Sequence, residues 1–528
     1  NGGIETINLD VSGRAATVNQ LDSDITTLGL TGDVGLTVTT ALNDTIRTVA
    51  GENFSGGASL SVAAATAGVT VDLGAGSDNI TGSGFADDID VRGGNNTVTS
   101  GNGNDTVAAG AGNNTISTSD GADSVTVGGG ANTIDLGTGN DSLVAGDGQN
   151  TVTGGAGNDS ITVGNGANVI TSGADNDVVT AGNGGNSIDL GAGNDKATTG
   201  TGADTVTIGA GFDTVATGDG NDVIIGGANF DASGTETFVG SGVFVGDEDS
   251  INGGAGRDTL SIDAGSADAN FRFVESVEVL TLTTAGSTTL STEAEEAGID
   301  EINALNAGND VVNASTFSRN LTVNLADGND TVTTGSGSDT FNVGALNDLD
   351  ALDAGAGYDV LKIDEDTTLA NPAFKGFEEV VLGSARGEVG DNGNSYNITV
   401  DADNAPNPNV DKSGVLKVDA SALQADDDGI GPNVAETLAL NASGVNNYRL
   451  NVIGGAAADT VTSGQLNDTI STGAGGDTIN LTAGNNVVDA GADNDTVTLG
   501  TGNDNVTAGT GNDNIVAATA NLTANDSI

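Results

Sequence analysis

Histidine, cysteine, methionine and tryptophan are all absent from this 528-residue chain, and aromatic residues amount to only 3% of it. Each absence excludes something. Without Cys there is no disulfide, no thiolate metal site and no cysteine nucleophile. Without His there is no Ser-His-Asp triad and no imidazole ligand for zinc. A globular core of this length would need more large side chains than the composition holds. A solenoid would not, because each half-coil buries one small apolar residue against its neighbours. Basic residues are scarce as well: 13 Lys and Arg face 74 Asp and Glu, a net charge of −61. That excludes a nucleic-acid partner, whose phosphates need a basic surface. It calls for cations, and hard carboxylate oxygens suit Ca²⁺ best. Solubility or a saline habitat would account for acidity in bulk, but not for its spacing. No apolar run is long enough to span a bilayer, so the chain is not membrane-spanning by helices. Residue 1 is Asn, inside a motif that recurs later, so the chain is expected to be a piece of a longer protein.

What the chain does have is a period of nine. From Asp78, every ninth residue is Asp or Asn: Asp78, Asp87, Asn96, Asp105, Asn114, Asp123, Asn132, Asp141, Asn150, Asp159, Asn168, Asp177, Asn186, Asp195, Asp204, Asp213 and Asp222. Two residues after each stands an apolar side chain, from Ile80 to Ile224, and most are preceded by Gly at four and two positions back, as in Gly155-Ala156-Gly157-Asn158-Asp159-Ser160-Ile161. Glycine-rich turns alternate with short β-branched strands, and helical periodicity is missing. Two nonapeptides make one 18-residue coil of a parallel β-helix. About 150 residues of this pattern predict ~8 coils stacked over ~40 Å.

The order of the chain follows from where the period holds. Residues 1–73 read as irregular β-solenoid, 74–229 as the first regular roll, and 230–300 as a β spacer in which Gly253–Leu260 restores one repeat. Residues 301–370 form a short second roll around Asp310, Asp330, Asp339 and Asp348, 371–453 a second β spacer whose part 386–453 holds three of the four prolines, and 454–528 a third roll. A larger module also recurs. Phe271-Arg272-Phe273-Val274-Glu275-Ser276-Val277-Glu278-Val279-Leu280 resembles Phe374-Lys375-Gly376-Phe377-Glu378-Glu379-Val380-Val381-Leu382, and Gly3-Ile4-Glu5-Thr6-Ile7-Asn8-Leu9 looks like a third copy. Its aromatics are expected to cap the open end of each roll.

Turns on one side of the stack are 18 residues apart. An Asp from each of two such turns, with glycine-turn carbonyls, supplies the six or so oxygens Ca²⁺ prefers. Glycine is needed where the turn takes left-handed φ and points its carbonyls at an ion. One column, Asp87, Asp105, Asp123, Asp141, Asp159, Asp177, Asp195 and Asp213, offers a continuous row of such pairs. The other is mostly Asn, with one pair, Asp204 and Asp222; stacked amides form a ladder without metal. Further candidate ligands are Asp258, Asp330, Asp339 and Asp359, then Asp459, Asp477, Asp495 and Asp513 with Asp468 and Asp504 on the opposite side. The bland alternative for each is a plain turn residue. Several turns depart from the consensus: Ser83 and Phe85 precede Asp87, Arg92 precedes Asn96, Ser119 precedes Asp123, and Asp175 and Asp493 replace a glycine before Asp177 and Asp495. Carboxylates stacked ~5 Å apart repel by about a kcal/mol per pair even at high dielectric. The chain is therefore expected to be largely disordered until Ca²⁺ folds it.

These nonapeptides resemble the RTX family, proteins exported by type I secretion in Gram-negative bacteria that fold on meeting extracellular Ca²⁺. The resemblance implies an all-β, right-handed parallel β-solenoid of several RTX β-rolls joined by irregular β-helical spacers, with many bound Ca²⁺. The larger module is similar to Ca²⁺-bound surface-layer proteins, which implies an extracellular, cell-surface structural protein whose partner is itself, in a lattice or filament. Attachment to a cell-surface glycan would fall to a part not present here. A stalk within an RTX adhesin is the alternative. Thr residues such as Thr151 and Thr153 also line an outward face that would suit ice or mineral, though outward Thr is ordinary in strands. An enzyme is disfavoured, since nearly every Asp already has a periodic explanation.

Overall fold

A computed structural model describes residues 5–21, 24–227, 250–264, 271–344, 346–365, 367–369, 374–383, 395–400, 414–423, 435–518, 522 and 525–528. The opening Gly3-Ile4 of the recurring module and the prolines of the second spacer lie outside these. Among the described residues the regular structure is short β-strand, with a single six-residue helix, Thr292–Ala297. The chain divides into two compact units, Asn1–Ser261 with Phe273–Val277, and Ile262–Arg272 with Glu278–Ile528.

In the first unit Asp-x-U-x sends U inward and its neighbours out, because successive strand residues point to opposite faces. The strands Thr106–Ala109, Ser124–Val127, Ser142–Ala145 and Ser160–Val163 pair in parallel with partners 18 residues apart, Thr106↔Ser124, Ser124↔Ser142 and Ser142↔Ser160. They belong to a 14-stranded sheet. The alternate nonapeptides build the facing sheet, where Thr115–Ser117, Thr133–Thr138, Thr151–Ala156 and Val169–Ala174 pair likewise. The core is two facing columns, Val107, Val125, Leu143, Ile161 and Val179 against Ile116, Ile134, Val152 and Ile170, none more than 2% exposed. Before the roll the coil is longer: Thr6 pairs with Thr27, Thr27 with Thr48 and Thr48 with Thr70, and only from Thr70 to Asp88 does the step become 18. Gly253–Leu260 does restore a repeat, since the amide of Thr259 donates to the Asp222 carbonyl at 2.7 Å.

The second unit winds in the same way with less regular steps. Glu301–Ala304, Thr322–Leu325, Thr340–Val343, Val360–Ile363, Glu379–Leu382, Val415–Asp419 and Arg449–Ile453 form one parallel succession. The described part of 371–453 is thus coil continuing coil. In the second copy of the module the aromatics are not caps: Phe374 and Phe377 are buried, Phe377 packing edge-on to Phe341 of the preceding roll at 5.0 Å and to Phe374 at 6.0 Å, and paired strands continue on both sides. Rings fill a coil wider than two aliphatic side chains can. The helix, which strand periodicity gave no sign of, ends at Gly298 with φ 111°. It is held by Glu295, whose Oε1 accepts from the amides of Ser318 and Arg319 and the Ser318 hydroxyl at 2.7–2.9 Å.

Candidate metal centres

The glycine turns set the geometry. Gly155 and Gly157 both have φ of 116°, and a Cβ on Gly157 would overlap the carbonyl oxygen of Gly139 one coil below. The coils therefore stack turn on turn at a spacing that favours glycine. Four of the departures noted in the sequence sit in this same left-handed region: Arg92 at φ 46°, Ser119 at 73°, Asp175 at 75° and Asp493 at 79°.

Every candidate Asp except the half-exposed Asp513 is buried. In the long column each side chain reaches one coil back. The backbone N–H of Asp87, Asp105, Asp123, Asp141, Asp159, Asp177 and Asp195 donates to Oδ1 of the next Asp along, at 2.7–2.8 Å. An exposed ladder runs the other way: Oδ1 of Asn140, Asn158 and Asn176 accepts the N–H of the residue 18 later, at 2.7–2.9 Å. Together the two fix the 18-residue step.

The second carboxylate oxygen is different. Oδ2 of Asp105, Asp123, Asp141, Asp159, Asp177 and Asp195 is buried with no hydrogen-bond partner, and so is that of Asp204, Asp222, Asp339, Asp359, Asp477, Asp495 and Asp504. The hydroxyls nearest some of them are already spent; Thr118, beside Asp123, donates to the Leu136 carbonyl at 2.7 Å. An unpartnered buried acceptor is costly, and here it recurs at each coil from Asp105 to Asp195.

The Asn column shows what belongs there. Oδ1 of Asn132 accepts the N–H of Asn114 as an Asp would, at 3.0 Å. Nδ2 of Asn114 then shares its two hydrogens among the carbonyls of Gly110 and Gly112, at 3.1 and 3.2 Å, and Oδ1 of Asn132, at 3.0 Å. Asn132, Asn150, Asn168 and Asn186 repeat the pattern. A partial positive charge amid turn carbonyls and a neighbour's oxygen satisfies this side. The Asp side puts an acceptor where the Asn side has a donor.

Burial pushes these carboxyls up, reinforced by the charges of stacked neighbours and opposed by the amides they accept from: Asp123 and Asp195 to about 6, Asp159 to about 7. Asp359, between Asp339 and Glu378, rises to about 8. Among the described residues no three acidic side chains converge on one point. Each gap has two carboxylates, and at the matching stations of the Asn column turn carbonyls face the side chain; carboxylates with such carbonyls are the donor set of a hard cation.

A family model for the RTX calcium-binding nonapeptide repeat matches residues 72–231 in overlapping copies, and again 246–266, 322–350 and 453–515. These matches cover more than half of the sequence. The chain belongs to the RTX calcium-binding repeat family. It binds calcium, and its many repeats imply many ions. None of the curated proteins matches this sequence.

RTX spacing also exposes where nine-residue counting stops. Asp348, nine after Asp339, is not the acid of its column; Asp350 is, accepting the Asp330 amide at 2.8 Å, because this coil is 20 residues long. Asp310, which donates its amide to Asp330 Oδ1 at 2.9 Å, heads that column. Asp258 receives the Asp222 amide at 2.8 Å, so Asp204–Asp222 extends by one acid. The entry acids are closed by their own turns: Oδ2 of Asp87 accepts the Ser83 amide at 2.6 Å, and those of Asp459 and Asp468 accept Gly455 and Gly464 at 2.9 Å. Asp78 and Glu378 also join columns without having been singled out as ligands; Asp78 had the right register, whereas Glu378 had only its place in the larger module.

Proposed function

We propose that this chain is a calcium-folded structural segment of a secreted protein, and that it associates with copies of itself into a cell-surface layer or similar array. The observation that carries the reading is the repeated buried Oδ2 without a partner. Pairs such as Asp141/Asp159 and Asp159/Asp177 would hold Ca²⁺ between successive coils, with glycine-turn carbonyls completing the shell. The ion supplies charge compensation and cross-coil bonding. The Asn flank carries amides instead.

In this reading the acids are spent on the scaffold, and with neither His nor Cys in the sequence the segment is not an enzyme. Among the described residues no helix is long and apolar enough to cross a membrane. Secretion is in keeping with the RTX repeat, because millimolar Ca²⁺ outside a cell would fold the chain there. The stacking of coil on coil within each unit equally suits a stalk that displays an adhesive domain. The two readings part on self-association. Negative-stain microscopy of chelator-treated chain, repeated after adding millimolar Ca²⁺, should give sheets or filaments. Separate folded particles would transfer the assignment to a stalk.

A further inference from the structure

One acid row begins and ends at apolar stations. In the second unit the amide of Leu321 donates to Asp339 Oδ1 at 2.8 Å, that of Asp339 to Asp359 Oδ1 at 2.7 Å, and that of Asp359 to Glu378 Oε2 at 2.7 Å. Glu378 pairs backward just as the Asp residues do. Val360↔Glu379 and Leu361↔Val380 put it directly opposite Asp359, and Glu379↔Lys417 puts the apolar Leu416 opposite it on the far side. The row is thus three acids bracketed by Leu321 and Leu416. Glu378 is 1% exposed and Asp359 fully buried.

We propose that Glu378 is a calcium ligand, closing the row with a second, Glu-terminated site against Asp359. The matched repeats stop at residue 350 and resume at 453, so this gap lies outside them. Three features define the site. Asp359 Oδ2 is buried with no hydrogen-bond partner. The turn before it is a nonapeptide turn, with Gly355 and Gly357 at φ 77° and 157°. Glu378 adds a second carboxylate at the station the next Asp fills elsewhere, as a hard divalent cation with oxygen ligands requires. The extra methylene of Glu matters little, because residue 378 already stands opposite 359. The inference rests on the calcium reading of the rows.

Native mass spectrometry of the full chain in Ca²⁺ counts the ions. Glu378→Gln keeps an acceptor for the Asp359 amide and should bind one ion fewer than the parent. Asp359→Asn, shared by both gaps, should bind two fewer, and Glu378→Asp should restore the parental count. Glu379→Gln, on the outward neighbour bonded to Lys417, should leave it unchanged. An unchanged count for Glu378→Gln with a loss of one for Asp359→Asn overturns the Glu site and spares the rows. Unchanged counts for both Asp359→Asn and Asp159→Asn overturn the rows themselves. A second readout is independent of counting. The chain has no Trp, and Tyr358 adjoins Asp359. Tb³⁺ emission lost in Tyr358→Phe should fall in Glu378→Gln too; full retention there argues against the site.

Discussion

A left-handed backbone suits glycine and strains aspartate, and Asp175 and Asp493 take it at φ 75° and 79°. Both stand where the repeat otherwise has glycine, two residues before the column acids Asp177 and Asp495. Asp175→Gly should therefore raise stability by about 1 kcal/mol, read as a higher melting temperature in saturating Ca²⁺. A lower melting temperature would mean that the Asp175 side chain contributes more than its backbone costs. The Asn flank makes a sharper case. Replacing Asn114 and Asn132 together by Asp swaps two donors for acceptors against Gly110, Gly112, Gly128 and Gly130. In calcium too dilute to fill a new site the double variant should lose about 1–3 kcal/mol per orphaned group; in saturating calcium it should bind one ion more than the parent. Equal ion counts by native mass spectrometry would show that residue type at this station does not decide occupancy.

At the scale of the coil, the limiting contact is backbone on backbone. A methyl at Gly157 would meet the carbonyl of Gly139, which cannot rotate aside as a side chain could. Gly157→Ala should loosen the turn that ends in Asp159, costing roughly 2 kcal/mol or more in urea unfolding with Ca²⁺ present. A cost near zero would mean that neighbouring coils part easily. How much of this was legible beforehand depends on the step. Where coils are 18 residues long, side, column and inward residue all follow from counting, and the core from Val107 to Val179 is where counting puts it. The ladders were partly legible, since an Asn column implied stacked amides, but the orphaned Oδ2 atoms were not. Counting fails when a coil grows: steps of 21 and 22 before Thr70 and of 20 around Asp330 hide the register, so Asp350 is missed in favour of Asp348. Glu378 escapes for another reason. Backbone pairing, which no local pattern reveals, sets a Glu among Asp stations.

For the whole molecule, the raised carboxyls give acid and calcium opposite effects. Asp159 at about 7 and Asp123 and Asp195 at about 6 stand above the 3.8 of a free carboxyl. A folded chain that holds protons more tightly than the unfolded one is stabilised below the unfolded value and loses that stability as pH rises through the folded one. Calcium-free chain should thus show more β signal by circular dichroism near pH 4 than at 7.5, whereas in millimolar Ca²⁺ the order reverses, because protons then compete with the ion. The same trend in both conditions would mean the rows do not bind metal through carboxylates. From Asn96 to Asn186 each coil of the roll presents its Asp to one flank and its Asn to the other, and this gives the tandem array a parity. Losing or duplicating two nonapeptides leaves every column intact and merely changes the length. Losing one keeps the nine-residue beat, yet from that point on it sets carboxylates above amides on both flanks. Length is therefore free to drift by whole coils, while the half-coil, although it is the unit the sequence repeats, is not a unit that can be exchanged.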